Sequence, residues 1–145
     1  MLYFAYASNM HRAQMERWCP ASRFLGAAAI RGFRFVYDGF SVTWDGAVAN
    51  IVKSEAETVW GALYEVTTRD RVTLDAFEGY PRDYDHRDVE VKDRDGNVLR
   101  AMTYFRTGRA QGKPHPDYER IVIDGAKECG LPDEYIDKAI RVVRM

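Results

Sequence analysis

Leu2-Tyr3-Phe4-Ala5-Tyr6-Ala7-Ser8-Asn9-Met10 decides how the rest of the chain is read. Both alternating side-chain sets, Leu2/Phe4/Tyr6 and Tyr3/Ala5/Ala7, are apolar, which is the pattern of a strand covered on both faces. A central strand is therefore predicted from Leu2 to Ala7. Ser8 and Asn9 are helix-capping residue types, and Met10 to Trp18 holds helix formers until Pro20 forbids continuation. The opening unit reads strand, turn, short helix.

From Arg23 to Lys53 the chain alternates β-rich runs (Phe24–Ile30, Phe33–Tyr37, Val48–Val52) with turn signals at Asp38-Gly39 and Asp45-Gly46, and a further strand spans Thr58 to Val66. Thr67 and Asp70 have the spacing of a capping box, so a helix is predicted to start there and to stop at Gly79. Strands at about Arg87–Lys92 and Val98–Phe105 flank Asp95-Gly96-Asn97, a hairpin signal because these residues tolerate positive φ. A connector, Thr107 to Pro116, leads to a helix whose apolar face is Tyr118, Ile121, Val122, Gly125, Ala126 and Cys129, ended by Gly130. Pro132 suits a first helical position, and Ile136, Ala139, Ile140 and Val143 form a last apolar stripe.

Six or so strands with irregularly spaced helices predict an α+β fold, a mixed, mostly antiparallel sheet curved into a small β-barrel with flanking helices. At 145 residues and 46% hydrophobic the chain suits one domain, 1–145, and one site. Lys plus Arg number 21 against 22 Asp plus Glu, without long blocks of one sign, which argues against nucleic acid or an anionic membrane and for a small-molecule partner. No basic start leads into a long apolar run, so a cytoplasmic location is expected. Cys19 and Cys129 are too few for a disulfide framework and are expected to be free thiols.

Two places carry chemistry. At Tyr6-Ala7-Ser8-Asn9 the first amides of the following helix, with the Ser8 hydroxyl, suit a carboxylate or a polarised carbonyl; an ordinary helix cap uses the same residue types. Glu78 stands at i+4 from Leu74 and beside Phe77, so its carboxylate either points into an apolar setting, where lost hydration raises its pKa toward that of a general base, or reaches to the surface. The cluster Asp83-Tyr84-Asp85-His86 and the histidines His11, His86 and His115 lack a paired ligand spacing, so no metal is expected. Neither a Gly-x-Ser-x-Gly elbow around Ser8 nor a Gly-rich phosphate loop is present.

Tyr3-Phe4-Ala5-Tyr6-Ala7-Ser8-Asn9-Met10 resembles the Tyr-Gly-Ser-Asn signature that opens the γ-glutamylcyclotransferases and their broader, AIG2-like superfamily. The resemblance continues through Val59-Trp60-Gly61-Ala62-Leu63-Tyr64, Leu74-Asp75-Ala76-Phe77-Glu78-Gly79, Tyr84, Pro116-Asp117-Tyr118 and Gly125 to Tyr135, covering essentially the whole chain. It implies that Glu78 is the catalytic glutamate. It implies further that Tyr3, Phe4, Ala5, Tyr6, Ala7, Ser8, Asn9, Tyr84 and Tyr118 bind substrate, with core or groove packing the other reading of the two tyrosines Tyr84 and Tyr118. The implied substrate is a γ-glutamyl amino acid, cyclised to 5-oxoproline without cofactor, and such enzymes are often homodimers. Ala7 departs from the family's usual glycine. The alternatives are a γ-glutamyl amine or glutathione as substrate, or a non-catalytic binding module; exposed aromatics at Trp18, Trp44 and Tyr80 would suit an interaction domain, though ordinary packing also accounts for them.

Overall fold

In the computed structural model, which describes residues 1–142, strand β1 (Leu2–Ala5) is paired along both edges. On one side it runs antiparallel to β3 (Gly46–Glu65), with Phe4 opposite Leu63 and Ala5 opposite Ala62. On the other side it meets β5 (Val98–Phe105) in parallel, Tyr3 opposite Met102. With β2 (Arg23–Ser41) and β4 (Asp85–Asp93) between them, the strands close in the order β1-β3-β2-β4-β5. The predicted mixed, mostly antiparallel barrel is therefore the observed fold.

The four β-rich runs read between Phe24 and Val66 are two long strands, β2 and β3, of 19 and 20 residues. Register shifts lie at Phe24/Gly26, Arg31/Phe33 and Asp38/Ser41, with Gly26, Gly32 and Gly39 at positive φ. Local chemistry marks these places as breaks, because reversals and bulges both use positive-φ residues. Pairing with the partner strand decides between them, so Asp38-Gly39 is a bulge inside β2. The reversal comes at Asp45 (φ 53) before Gly46, as the second turn signal predicts.

Helix α1 spans Arg12–Trp18, preceded by a 3₁₀ turn at Ser8–Met10. Neither Ser8 nor Asn9 caps a helix with its side chain, contrary to the predicted cap, and His11 precedes α1. The strand is also shorter than predicted: Tyr6 and Ala7 leave the ladder. Helix α2 (Thr68–Glu78) follows its sequence closely, with the Thr67/Asp70 capping box formed and Gly79 in the left-handed conformation at φ 69. Helix α3 (Pro116–Glu128) buries Tyr118, Val122, Ile123 and Ala126, and Gly130 stops it at φ 78. Pro132 precedes rather than begins α4 (Asp133–Tyr135), which widens into a π-helical turn at Ile136–Ile140 that buries Ile136 and Ile140. Val143, the last residue of the predicted stripe, lies outside the described residues. Cys19 and Cys129 are free and buried.

Phe4, Ile30, Val59, Leu74, Val91 and Val122 are nearly or fully inaccessible and form the core. Side chains of this kind each contribute roughly 1.5–3 kcal/mol on burial. Helix α3 holds the 3₁₀ turn against the barrel by backbone contact: a Cβ added at Gly125 would lie 2.5 Å from the His11 nitrogen and 2.7 Å from the Met10 carbonyl carbon. Cys129 Sγ donates to the Met10 carbonyl at 3.2 Å. Gly125→Ala is therefore expected to lower stability by about 1–3 kcal/mol through overpacking, read as a lower Tm by calorimetry.

Candidate active site

The chain that leaves β1 crosses the mouth of the barrel, where Tyr6 to Asn9 meet the end of α2. Tyr3, Phe4, Tyr6, Ala7, Ser8, Asn9, Glu78, Tyr84 and Tyr118 line one recess there, together with Ala49, Thr103 and Tyr104. Of the predicted site residues only Ala5 stays out of it, packed in the core opposite Ala62. Ala7 sits at φ −135, so its methyl group meets no left-handed backbone requirement.

Asn9 organises the recess. Its amide nitrogen donates to the Tyr3 hydroxyl at 2.9 Å and reaches Glu78 Oε1 at 3.5 Å. Its amide oxygen accepts from Gln14 Nε2 at 3.0 Å, and its carbonyl accepts from the Tyr64 hydroxyl at 3.3 Å. These buried partners draw the side chain inward and away from the capping role predicted for it. The tyrosines are held as firmly. Tyr6 donates to the Tyr104 carbonyl at 2.7 Å, Tyr84 donates to the Ala49 carbonyl at 2.6 Å, and Tyr118 accepts from the Ala49 amide at 3.1 Å. Burial pushes the pKa of Tyr3, Tyr6, Tyr84, Tyr104 and Tyr118 up, so all five remain neutral hydroxyls.

Glu78 is the last residue of α2 and half-buried. Desolvation pushes its carboxyl up to about 7, against the pull of the Arg106 guanidinium. The apolar face proposed for it is only half right: Leu74 is buried, whereas Phe77 is partly exposed against Trp18, ring centroids 5.3 Å apart. The aromatic side chains of the recess, drawn from four parts of the chain, supply the remaining desolvation.

Arg106 has no local sequence signal beyond following β5. It forms a buried ion pair with Asp38, its backbone amide donates to Asn50 Oδ1 at 3.1 Å, and its guanidinium lies 4.6 Å over the Tyr84 ring. Asn50 Nδ2 in turn donates to Asp38 Oδ2 at 3.1 Å and to the Arg106 carbonyl at 3.0 Å. Asp38, which the sequence predicts in a turn, is buried on β2 and anchors a cation near Glu78. Among the described residues no group of three or more His, Cys, Asp and Glu side chains comes together to hold a metal ion. No described helix is long and apolar enough to cross a membrane.

A closed barrel with a desolvated carboxylate in an aromatic recess has the features of a site for a small molecule. The profile of the AIG2-like family matches residues 58–139. γ-Glutamylcyclotransferases of mouse and human are 31% and 32% identical to this chain, each over 94% of it and 76% of their own length. A solved γ-glutamyl cyclotransferase superposes with a TM-score of 0.91 at 30% identity, spanning 100% of this chain and 90% of that one. A human protein solved as an uncharacterized protein gives 0.90 at 31% identity, over 99% and 89%. The chain belongs to the γ-glutamylcyclotransferase family.

Removing the Arg106 charge takes away the charge attraction that favours ionised Glu78. In the double variant Asp38→Asn/Arg106→Gln, which avoids leaving Asp38 buried and unpaired, the Glu78 carboxyl is expected to titrate above its present value of about 7. Carbon-13 NMR of the side-chain carboxyl measures this.

Proposed function

We propose that this chain is a γ-glutamylcyclotransferase that converts a γ-glutamyl amino acid into 5-oxoproline and the free amino acid. One observation carries the reading. Glu78, with its proton affinity brought near neutrality, lines both the inner recess and a larger outer cleft, as do Ser8, Tyr84 and Tyr118. A bond broken at that junction would keep the glutamyl part inside and release its other part outside.

The substrate binds with its γ-glutamyl head in the recess, folded so that its α-amine faces its own γ-carbonyl carbon. Within one molecule this attack needs positioning rather than an external nucleophile. Glu78 takes a proton from the α-ammonium group, and the freed amine forms a bond to the γ-carbon. Ser8 and Asn9 open a 3₁₀ turn, so their amides have no intrahelical acceptor and suit the developing oxyanion. Collapse of that intermediate breaks the γ-amide C–N bond as Glu78 returns its proton to the departing nitrogen. The ring nitrogen's second extra proton then passes through the same carboxylate to the released amine, leaving neutral 5-oxoproline nitrogen and an ammonium group. Atoms and charge balance with no metal, nucleotide or covalent enzyme intermediate. Tyr3, Phe4, Tyr6, Ala7, Tyr84 and Tyr118 shape the recess around the head group, with Ala5 behind them in the core. A single catalytic domain, a cytoplasmic location and a homodimer belong to the same reading.

Glu78→Gln is expected to reduce 5-oxoproline formation from γ-glutamyl dipeptides by about 10²–10⁴-fold. Undiminished turnover would remove Glu78 as the base. Because the folded-state pKa of Glu78 is raised, the folded protein binds the proton more tightly than the unfolded chain does. The carboxyl therefore subtracts stability as pH rises from about 4.5 to about 7, and the full deficit remains above that. At pH 8 the variant should accordingly melt no lower than the parent, so lost turnover there is not lost folding. In the parent, log kcat/KM should rise with pH and level off above about 7 as Glu78 ionises.

A further inference from the structure

Outside Glu78 the outer cleft has a volume of about 590 Å³, and its lining has two chemistries. One is apolar. Phe40, Val42 and Trp44 come from the tip of the β2–β3 hairpin and Phe77 from α2. Phe40 is 63% exposed, Val42 88% and Phe77 39%, so the cleft keeps large apolar side chains in contact with water.

The other is cationic. Arg106 and Arg109 lie side by side across the backbone of Gly39, where an added Cβ would come within 3.1 Å of Arg106 Nη2 and 3.2 Å of Arg109 Cδ. Asp38 is engaged below them, pairing with Arg106 and accepting from the Arg109 backbone amide at 3.1 Å. Arg82 pairs with Asp83 at 3.7 Å. Among the described residues the Arg109 guanidinium has no carboxylate within ion-pair distance. The remaining acid facing the cleft is Glu78, and once it has taken the substrate's proton its negative charge is gone. Arg109 is then the uncompensated charge of the cleft.

We infer that the cleft receives the leaving group as a free α-amino acid with an apolar side chain, its α-carboxylate on Arg109 and its side chain against Phe40, Val42, Trp44 and Phe77. The inference rests on the cyclotransferase reading and narrows its substrate. A γ-glutamyl amine carries no carboxylate for Arg109. In glutathione that carbon is an amide, and the free carboxylate stands one residue further out, roughly 3.3–3.6 Å along an extended chain.

Three substrates separate the contributions: γ-glutamylleucine, γ-glutamylglycine, which lacks the side chain, and γ-glutamylisoamylamine, which lacks the carboxylate. Measured by 5-oxoproline release, kcat/KM should favour the leucine compound over each of the others by about tenfold or more. Arg109→Gln should bring the leucine-to-isoamylamine ratio close to one through KM, with Arg109→Lys recovering part of it. The Phe40→Ser/Val42→Ser double variant should compress the leucine-to-glycine ratio and keep the leucine-to-isoamylamine ratio. Ratios near one in the parent protein, or an Arg109→Gln variant that loses both leucine and isoamylamine substrates equally, would overturn the inference. Calorimetric binding of the same compounds to Glu78→Gln reads the preference without turnover. Absence of 5-oxoproline from every substrate thus counts against the cyclotransferase reading, while the binding ratios decide the cleft.

Discussion

Tyr3 is paired on both sides, antiparallel to Tyr64 and parallel to Met102, and that double pairing closes the barrel. A strand held along both edges has no freedom to slide, since any shift would have to break its pairing with β3 and with β5 together. The chain that leaves it at Tyr6 therefore emerges at a defined point on the barrel mouth. Gly61 permits the closeness, because a Cβ there would lie 2.4 Å from the Ala5 carbonyl oxygen. Everything chemical in the molecule hangs on where that exit lies relative to the last turn of α2.

At the mouth, hydrogen bonding and desolvation act in opposite directions on different groups. Asn9 and the tyrosines are buried polar groups with partners, which makes the recess rigid. Among the described residues Glu78 has a long contact to Asn9 and a charge attraction to Arg106, and desolvation outweighs the attraction. The Asp38 carboxylate beneath Arg106 keeps that cation from dominating: a guanidinium already paired offers less to a second carboxylate. A glutamate that accepts and returns a proton near neutrality needs this intermediate balance, which neither a fully paired nor a fully solvated carboxylate would have.

Much of the frame was legible because local and global preferences agree. The capping box at Thr67 and the left-handed stop at Gly79 end α2 on Glu78, and the apolar stripe from Tyr118 to Ala126 marks α3. Reading failed where one local signal serves two structures. Asp38-Gly39 has the chemistry of a turn, yet it is a bulge inside β2, which continues to Ser41 beside β3. Asn9 has the chemistry of a cap and is instead drawn into the barrel by Tyr3 and Glu78, the latter 69 residues away. Nothing near Arg106 in the sequence marks it, because its role comes from Asp38 on β2 and Asn50 on β3.

The sequence by itself determined the inventory: a strand apolar on both faces, a helix ending on a glutamate, a tyrosine-rich set of elements and an overall charge close to neutral. These follow from composition, periodicity and capping, which act over a few residues. The tertiary structure alone decided that Glu78 should face the Tyr6–Asn9 loop, that Phe77 should face outward while Leu74 faces in, and that Arg106 and Arg109 should lie together over Gly39. Desolvation and charge coupling depend on distances in space between segments far apart in the chain, and only closure of the barrel sets those distances.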